Sequence, residues 1–349
     1  MTTKRKRIAV LMGGVSAERE ISLASGAAVA DALEARGHEV LRLDVGEDVD
    51  RQLRLARQQF TPDAAFIALH GTFGEDGCVQ GMLECLGIPY TGSSVLTSAL
   101  AMDKLKSKEL FRLHNVPTPP YYVAKQSDLA DLEDLHGSFG FPAIVKPRAE
   151  GSSIGISRAQ NLAELAVGVR RALDLGHDAL VERWVKGAEV QVGILGGRVL
   201  GAIEVEPKNR PFYDFVAKYT PGQTEYHLPP RLSPTRVRGV MNLAERAARA
   251  LGVDGACRVD MIVTEGENEY VLEVNTLPGM TQTSLLPKIA AAAGYDFGAL
   301  CEAIVDLAKL HVPRARPAAA YQAANDARPS ALPVAVPATR PLRVAARTR

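Results

Sequence analysis

Residues 257–284 read Cys257-Arg258-Val259-Asp260-Met261-Ile262-Val263, a polar turn, then Tyr270-Val271-Leu272-Glu273-Val274-Asn275-Thr276-Leu277-Pro278-Gly279-Met280-Thr281-Gln282-Thr283-Ser284. Polar and apolar residues alternate with period two on both arms. Arg258 and Asp260 therefore project from one sheet face, as do Glu273 and Asn275 on the other arm. With Gly266-Glu267 at the centre of a type II′ turn, antiparallel counting sets Asp260 opposite Glu273 and Arg258 opposite Asn275. Facing carboxylates repel unless a cation lies between them, and Mg²⁺ takes carboxylate and amide oxygens. The stretch predicts a catalytic hairpin in which Asp260, Glu273 and Asn275 ligate metal and Arg258 stands beside them as a fixed cation. A solvent-exposed hairpin face is the alternative, and apolar flanks on both arms weigh against it.

With 349 residues, 46% of them hydrophobic, the chain predicts two or three domains. A formal charge of +1 argues against a general nucleic-acid or membrane-surface role. No apolar run approaches the roughly 18 residues that span a bilayer. Four basic residues run from Lys4 to Arg7, but the apolar run after them ends at Gly13. It is too short and strand-like for a signal peptide, so a cytoplasmic protein is expected. Cys78, Cys85, Cys257 and Cys301 lie far apart among apolar neighbours and read as reduced core thiols.

A buried strand from Arg7 breaks at Gly13-Gly14 into a helix ending near Gly37, and strands at 39–45 and 64–69 alternate with helices. Residues up to about 100 thus predict a small parallel-sheet domain that meets ligands at its strand ends. The glycine pair is half of a dinucleotide fingerprint and weak alone. Glu18, in the first helical turn, suits either a helix-start acid or the receiver of a substrate ammonium. His70 follows the third strand, where open sheets bind ligands, although loop structure alone accounts for the glycines beside it and suits His70 equally well, while Glu75 and Asp76 read as a helix cap.

A charged helix between Met102 and Asn115 carries Lys104, and Pro117, Pro119 and Pro120 force an extended connector. A strand at 121–124, a helix from about Ser127 and a strand at 141–146 follow. Lys146 ends that last apolar strand, and the small residues after it, including Ser152 and Ser153, can turn backbone N–H groups toward one anion. The strand from Ala179 runs through Glu182, Arg183, Trp184 and Val185 toward Glu189. It suits an adenine edge and a ribose, or an exposed strand end, with Trp184 more often core than platform. A hairpin at 188–206 precedes a long connection from Pro207 to Pro230, the kind that often covers an active site. A helix from Thr235 to Leu251 then leads into the hairpin.

Taken together, Gly13-Gly14-Val15-Ser16-Ala17-Glu18, Leu69-His70-Gly71, Met102-Asp103-Lys104, Val145-Lys146-Pro147, Glu150-Gly151-Ser152-Ser153-Ile154-Gly155, Tyr213-Asp214-Phe215-Val216-Ala217-Lys218-Tyr219, Arg258-Val259-Asp260 and Glu273-Val274-Asn275 resemble the D-alanine–D-alanine ligases of the ATP-grasp superfamily over residues 7–311. The resemblance implies an α/β and α+β chain: a Rossmann-like parallel-sheet domain (1–103), an ATP-grasp central subdomain (104–190) and an ATP-grasp C-terminal subdomain with the hairpin (191–312). It implies ATP-dependent joining of two D-alanines through an acyl phosphate, for peptidoglycan precursor synthesis. Lys104 and Lys146 would bind phosphates, Glu182 to Val185 adenine, and Glu189 ribose. Ser152 and Ser153 would cover the phosphates, and Asp260, Glu273 and Asn275 would hold two Mg²⁺ ions, with Mn²⁺ an alternative. Glu18 would orient the first D-alanine's ammonium, with His70 near its carboxylate.

In the same resemblance Glu18, Ser152 and Tyr219 form a triad closing the lid, Arg258 stabilises the oxyanion and Ser284 receives the second D-alanine's carboxylate. Lys218-Tyr219 stands where D-alanine–D-lactate ligases carry histidine, and so implies dipeptide formation. A homodimer is implied, with no nucleic-acid partner and no membrane insertion. Another ATP-grasp carboxylate–amine ligase, or a non-catalytic nucleotide-binding regulator, is the rival reading. Leu277 departs from the family pattern between proposed ligands and is expected to change packing rather than chemistry. Residues 313–349 lie outside the resemblance. Rich in Pro and Ala, with seven arginines against Asp326, they are expected to be disordered.

Overall fold

An unbroken apolar run buried on both faces is what a parallel strand between helical layers requires, and Ile8–Met12 is such a run. It forms β1 (Arg7–Gly13), the middle strand of a three-stranded parallel sheet. The structure is a computed structural model and describes residues 4–151, 154–208, 213, 220, 222–266, 268–281 and 283–312. After β1 come α1 (Arg19–Ala35), β2 (Glu39–Val45), α2 (Val49–Gln59) and β3 (Ala64–Ile67), giving strand order β2-β1-β3. Then follow α3 (Cys78–Leu86), α4 (Val95–Met102) and α5 (Lys104–Leu113). Asp103 starts α5 by accepting from the Lys106 N–H, which fixes where Lys104 stands.

The second sheet contains β4 (Tyr121–Ala124), β5 (Ala143–Pro147), β6 (Ser157–Ala159) and β7 (Ala179–Arg183), all antiparallel in the order β4-β7-β5-β6. Between its strands lie α6 (Leu132–His136) and α7 (Leu162–Asp174), and Leu165 and Val169 of α7 cover Val145 and Val181. The helix expected from about Ser127 is instead a 3₁₀ turn, Gln126–Asp128, followed by the short α6.

The third sheet is antiparallel, with order β10-β9-β8-β11-β12. Its elements are β8 (Ala188–Leu195), β9 (Arg198–Pro207), β10 (Thr224–His227), α8 (Pro234–Leu251), β11 (Ala256–Val263), β12 (Glu269–Asn275), α9 (Leu285–Ala292) and α10 (Phe297–Asp306). The apolar residues of β11, Cys257, Val259, Met261 and Val263, pack with Val240, Leu243 and Ala247 of α8, which leaves the polar residues on the opposite face. The connection expected to lack structure from Pro207 to Pro230 contains the edge strand β10, while its residues 209–212, 214–219 and 221 lie outside the described residues.

Leu300, Cys301, Ile304 and Val305 of α10 join Ile8, Val10 and Val29 in one core, so the last described helix walls one face of the first sheet. Leu53, Val79 and Leu83 cover its other face. Leu277 is buried in this second cluster, as its apolar character predicts. Cys257 and Cys301 are buried thiols, but Cys78 and Cys85 are exposed on α3, contrary to the expectation of four core thiols. No helix among the described residues is long and apolar enough to cross a membrane.

Candidate active site

The hairpin pairs Arg258 with Asn275 and Asp260 with Glu273. The pairing matches the expectation, but the route to it differs. Val263 pairs with Glu269 and the Thr264 N–H donates to the Asn268 carbonyl, so residues 265–267 close the turn, one more than a two-residue turn would use. Glu267 itself lies outside the described residues. The ladder slips between Asp260 and Met261, where Met261 pairs with Val271 and leaves Leu272 as the extra residue of a β-bulge. The bulge cancels the extra turn residue and returns Glu273 to Asp260's side.

Between the second and third sheets lies a cavity of about 520 Å³, a volume that suits a nucleotide. Lys146 of β5, Glu182 and Arg183 of β7, the following residues Trp184–Gly187, Glu189 of β8 and Asp260 and Glu273 of the hairpin line it. Lys146 Nζ lies 2.7 Å from Glu182 Oε2. Burial works against the Lys146 charge, yet Glu182 and Glu273 outweigh it and its pKa is raised. Trp184 is half-buried on the cavity wall with the Arg158 guanidinium 4.6 Å over its ring, so it is not a core residue. The Arg183 side chain is exposed and donates to the Phe139 carbonyl, which leaves its backbone as the part available to a ligand.

A second, smaller cavity of about 70 Å³ is lined by Glu18, His70, Glu75, Gly151, Tyr213, Arg258, Glu273, Asn275 and Ser284. It opens at the carboxyl end of β1 and β3, where an open sheet meets its ligands. Glu273 and Tyr213 line both cavities. His70 Nε2 lies 3.4 Å from Ser25 Oγ, its Nδ1 lies 3.8 Å from Glu75 Oε1, and Ser16 Oγ donates to its carbonyl. Ser284 precedes α9, placing the positive end of that helix at the cavity, where a carboxylate is favoured. A Cβ on Gly151 would come within 2.5 Å of Glu18 Oε2, so the loop after β5 approaches Glu18 as closely as glycine permits. Ser152, Ser153, Lys218 and Tyr219 lie outside the described residues.

Two family models match the chain: D-ala D-ala ligase N-terminus over residues 46–93 and D-ala D-ala ligase C-terminus over residues 110–306. The D-alanine–D-alanine ligase of Anaeromyxobacter dehalogenans is 51% identical over 305 residues, covering 87% of this chain and 97% of that one. The Geobacter sulfurreducens ligase is 49% identical over 310 residues, covering 88% and 96%. Among solved structures, the Bacillus anthracis D-alanine–D-alanine ligase complexed with ATP superposes with a TM-score of 0.74 at 34% identity, covering 87% of this chain and 97% of that one. The VanG D-Ala:D-Ser ligase of Enterococcus faecalis does so with a TM-score of 0.74 at 27% identity, covering 87% and 99%. The chain belongs to the D-alanine–D-alanine ligase family.

Within this ligase-family frame the hairpin's donor set fits a divalent cation. Asp260 is 3% exposed, and its oxygens each accept one hydrogen bond from Arg258, Nε to Oδ1 at 2.7 Å and Nη2 to Oδ2 at 2.9 Å. A carboxylate oxygen has two lone pairs, so Oδ1 retains one for a cation, while Oδ2 also accepts from Asn275. Asn275 Nδ2 donates to Asp260 Oδ2 at 3.3 Å, which orients its amide oxygen away from that carboxylate. Lys104 Nζ stands 3.5 Å from Glu273 Oε2 and donates to the Glu150 carbonyl at 2.5 Å. The facing carboxylates are therefore each paired with a cation of the chain itself, and a metal's charge is called for by an arriving triphosphate rather than by the hairpin alone.

Two lining or supporting residues were not singled out from sequence. Tyr213 is buried at the junction of the two cavities, and burial raises its phenol pKa. Lys108 on α5 is fully buried, with Nζ 2.8 Å from Glu182 Oε1. Its signal was the spacing of four from Lys104, which puts both lysines on one helical face.

Proposed function

We propose that the chain joins two D-alanines at the expense of ATP, releasing ADP and phosphate. The observation that carries this reading is Glu273, which lines both the nucleotide-sized cavity and the amino-acid-sized cavity, so a triphosphate end and a small carboxylate can meet at one residue. Lys104 and Lys146 hold phosphates, Glu182 to Val185 edge the adenine and Glu189 faces the ribose. Asp260, Glu273 and Asn275 would hold Mg²⁺, which when bound offsets phosphate charge.

Carboxylates acylate amines slowly in water, so activation precedes joining. Glu18 receives the ammonium of the first D-alanine and His70 lies near its carboxylate. A carboxylate oxygen attacks the γ-phosphorus, the bond to ADP breaks, and an acyl phosphate forms. Ser284 and the α9 terminus hold the carboxylate of the second D-alanine. Its amine attacks the acyl carbon, Arg258 stabilises the oxyanion, and phosphate leaves as the amine loses its proton. The close approach of Gly151 to Glu18 supports a closing contact among Glu18, Ser152 and Tyr219 that excludes water.

A phosphate-release assay with ATP, Mg²⁺ and D-alanine tests the reading. D-alanine should trigger release and D-alanyl-D-alanine should appear by mass spectrometry, while D-lactate or D-serine in place of the second D-alanine should yield little. Phosphate release indifferent to D-alanine would sink the reading in favour of another ATP-grasp ligase, and ATP binding with no release in favour of a regulator. The same proposal takes the product to cytoplasmic peptidoglycan precursor synthesis and the enzyme to a homodimer, which sedimentation would check.

A further inference from the structure

Lys104 and Lys108 stand one helical turn apart on α5, and each pairs with a carboxylate that lines the nucleotide cavity. Lys104 reaches Glu273 at 3.5 Å, and Lys108 reaches Glu182 at 2.8 Å. Lys146 binds the other oxygen of the same Glu182 carboxylate at 2.7 Å. Lys108 does not line the cavity, whereas Lys146 and Glu182 do. Its ammonium is held from below by Thr118 Oγ1 at 2.5 Å and lies 5.6 Å over the Tyr121 ring.

Lys108 is 0% exposed, and a lysine is rarely buried so fully unless it is paired. Were Lys108 absent, Glu182 and Lys146 would form a neutral pair one to one. With it, two ammonium groups share one carboxylate and the buried trio carries a net positive charge. Glu273 and Glu189 also draw on Lys146, so relief of Glu182's share decides how much of its charge faces the cavity.

We propose that Lys108 is a positioning residue for the nucleotide: by taking half of the Glu182 carboxylate it leaves Lys146 charged toward the phosphates. This deepens the proposed function and rests on the assignment of the larger cavity to ATP. Lys108 touches neither the nucleotide nor the amino acids, so its effect belongs to ATP affinity.

The test is calorimetric titration of MgATP without D-alanine, alongside steady-state kinetics. Lys108→Met should weaken ATP binding about 10- to 100-fold while kcat at saturating ATP and the KM for D-alanine stay within about threefold. Lys108→Arg, which keeps the charge, should bind ATP within about threefold of the natural chain. ATP affinity unchanged in Lys108→Met, a Lys108→Arg variant as weak as Lys108→Met, or parallel losses for ATP and D-alanine that follow a fall in Tm would each overturn the proposal. ATP bound normally with no dipeptide made would count against the ligase reading and leave this one standing.

Discussion

Arg258 and Asp260, two residues apart on one face of β11, are joined by two parallel hydrogen bonds of 2.7 and 2.9 Å. Burial opposes the Arg258 charge, but Asp260 outweighs it and the guanidinium's pKa is raised, so this cation stays charged throughout the working range. Arg258→Ala should lower kcat by about 10²–10³, the cost of losing one oxyanion donor. It also strands a buried carboxylate, which typically costs about 3–5 kcal/mol. The variant's Tm should therefore fall in chelator and rise with Mg²⁺ by more than that of the natural chain. A nearly normal kcat would remove Arg258 from the mechanism, and equal Mg²⁺ shifts would remove Asp260 from the metal site.

Gly151 bears on the amino-acid cavity alone. A methyl group there would press within 2.5 Å of Glu18 Oε2, the far end of a flexible side chain, so Gly151→Ala displaces the carboxylate without unfolding the loop. The expected result is a rise of about tenfold or more in the KM for the first D-alanine with ATP binding unchanged, since small misplacements of a positioning group are costly. Isotope-exchange kinetics separate the two D-alanine sites. An unchanged first KM would show that Glu18 does not orient that substrate.

Lys108 predicts a pH dependence with a definite sign. Burial lowers its ammonium to about 8, Glu182 opposes the shift and Lys146 adds to it. The charged and polar groups facing it are Glu182, Lys146, Glu273, Thr118 and the Tyr121 ring. Above the folded value the trio loses its extra charge, so ATP affinity should fall between about pH 7 and about pH 9, and Lys108→Arg should abolish that fall. Stability runs the other way for this group. Its folded value lies below the ordinary value of 10.5, so between the two the unfolded chain binds more protons and the folded chain gains stability as pH rises. Affinity that tracks stability across this window would contradict the assignment.

Thiol labelling should find two reactive cysteines in the native chain and four after unfolding, because Cys257 and Cys301 are buried and Cys78 and Cys85 exposed. Burial and Asp76 push the Cys78 thiol up to about 11, so it should label slowly. Four native labels would mean that the cores around Cys257 or Cys301 open readily.

The strands at 7–13 and 39–45 and the pairing of Asp260 with Glu273 were legible because burial writes itself as runs and alternation. The bulge at Leu272 was not, since one extra residue changes no residue type. Lys108 was hidden for a different reason: in Lys104-Leu105-Lys106-Ser107-Lys108-Glu109 it reads as part of a solvated charged face, whereas in the fold its side chain is fully buried beside Glu182, Thr118 and the Tyr121 ring. Cys78 and Cys85 misled because apolar neighbours on a helix report the face opposite as often as their own. Strand β10 was missed because four residues at a sheet edge carry little periodic signal.

Synthesis delivers β1 to the ribosome's exit long before α10. Leu300, Cys301, Ile304 and Val305 complete the core beneath Ile8 and Val10, so the opening sheet waits, one side bare, for residues nearly three hundred positions later. Glu18 and His70 stand at the carboxyl ends of that sheet's strands, so a nascent chain cut before residue 297 should hold the amino-acid cavity on a sheet still lacking one wall of its core.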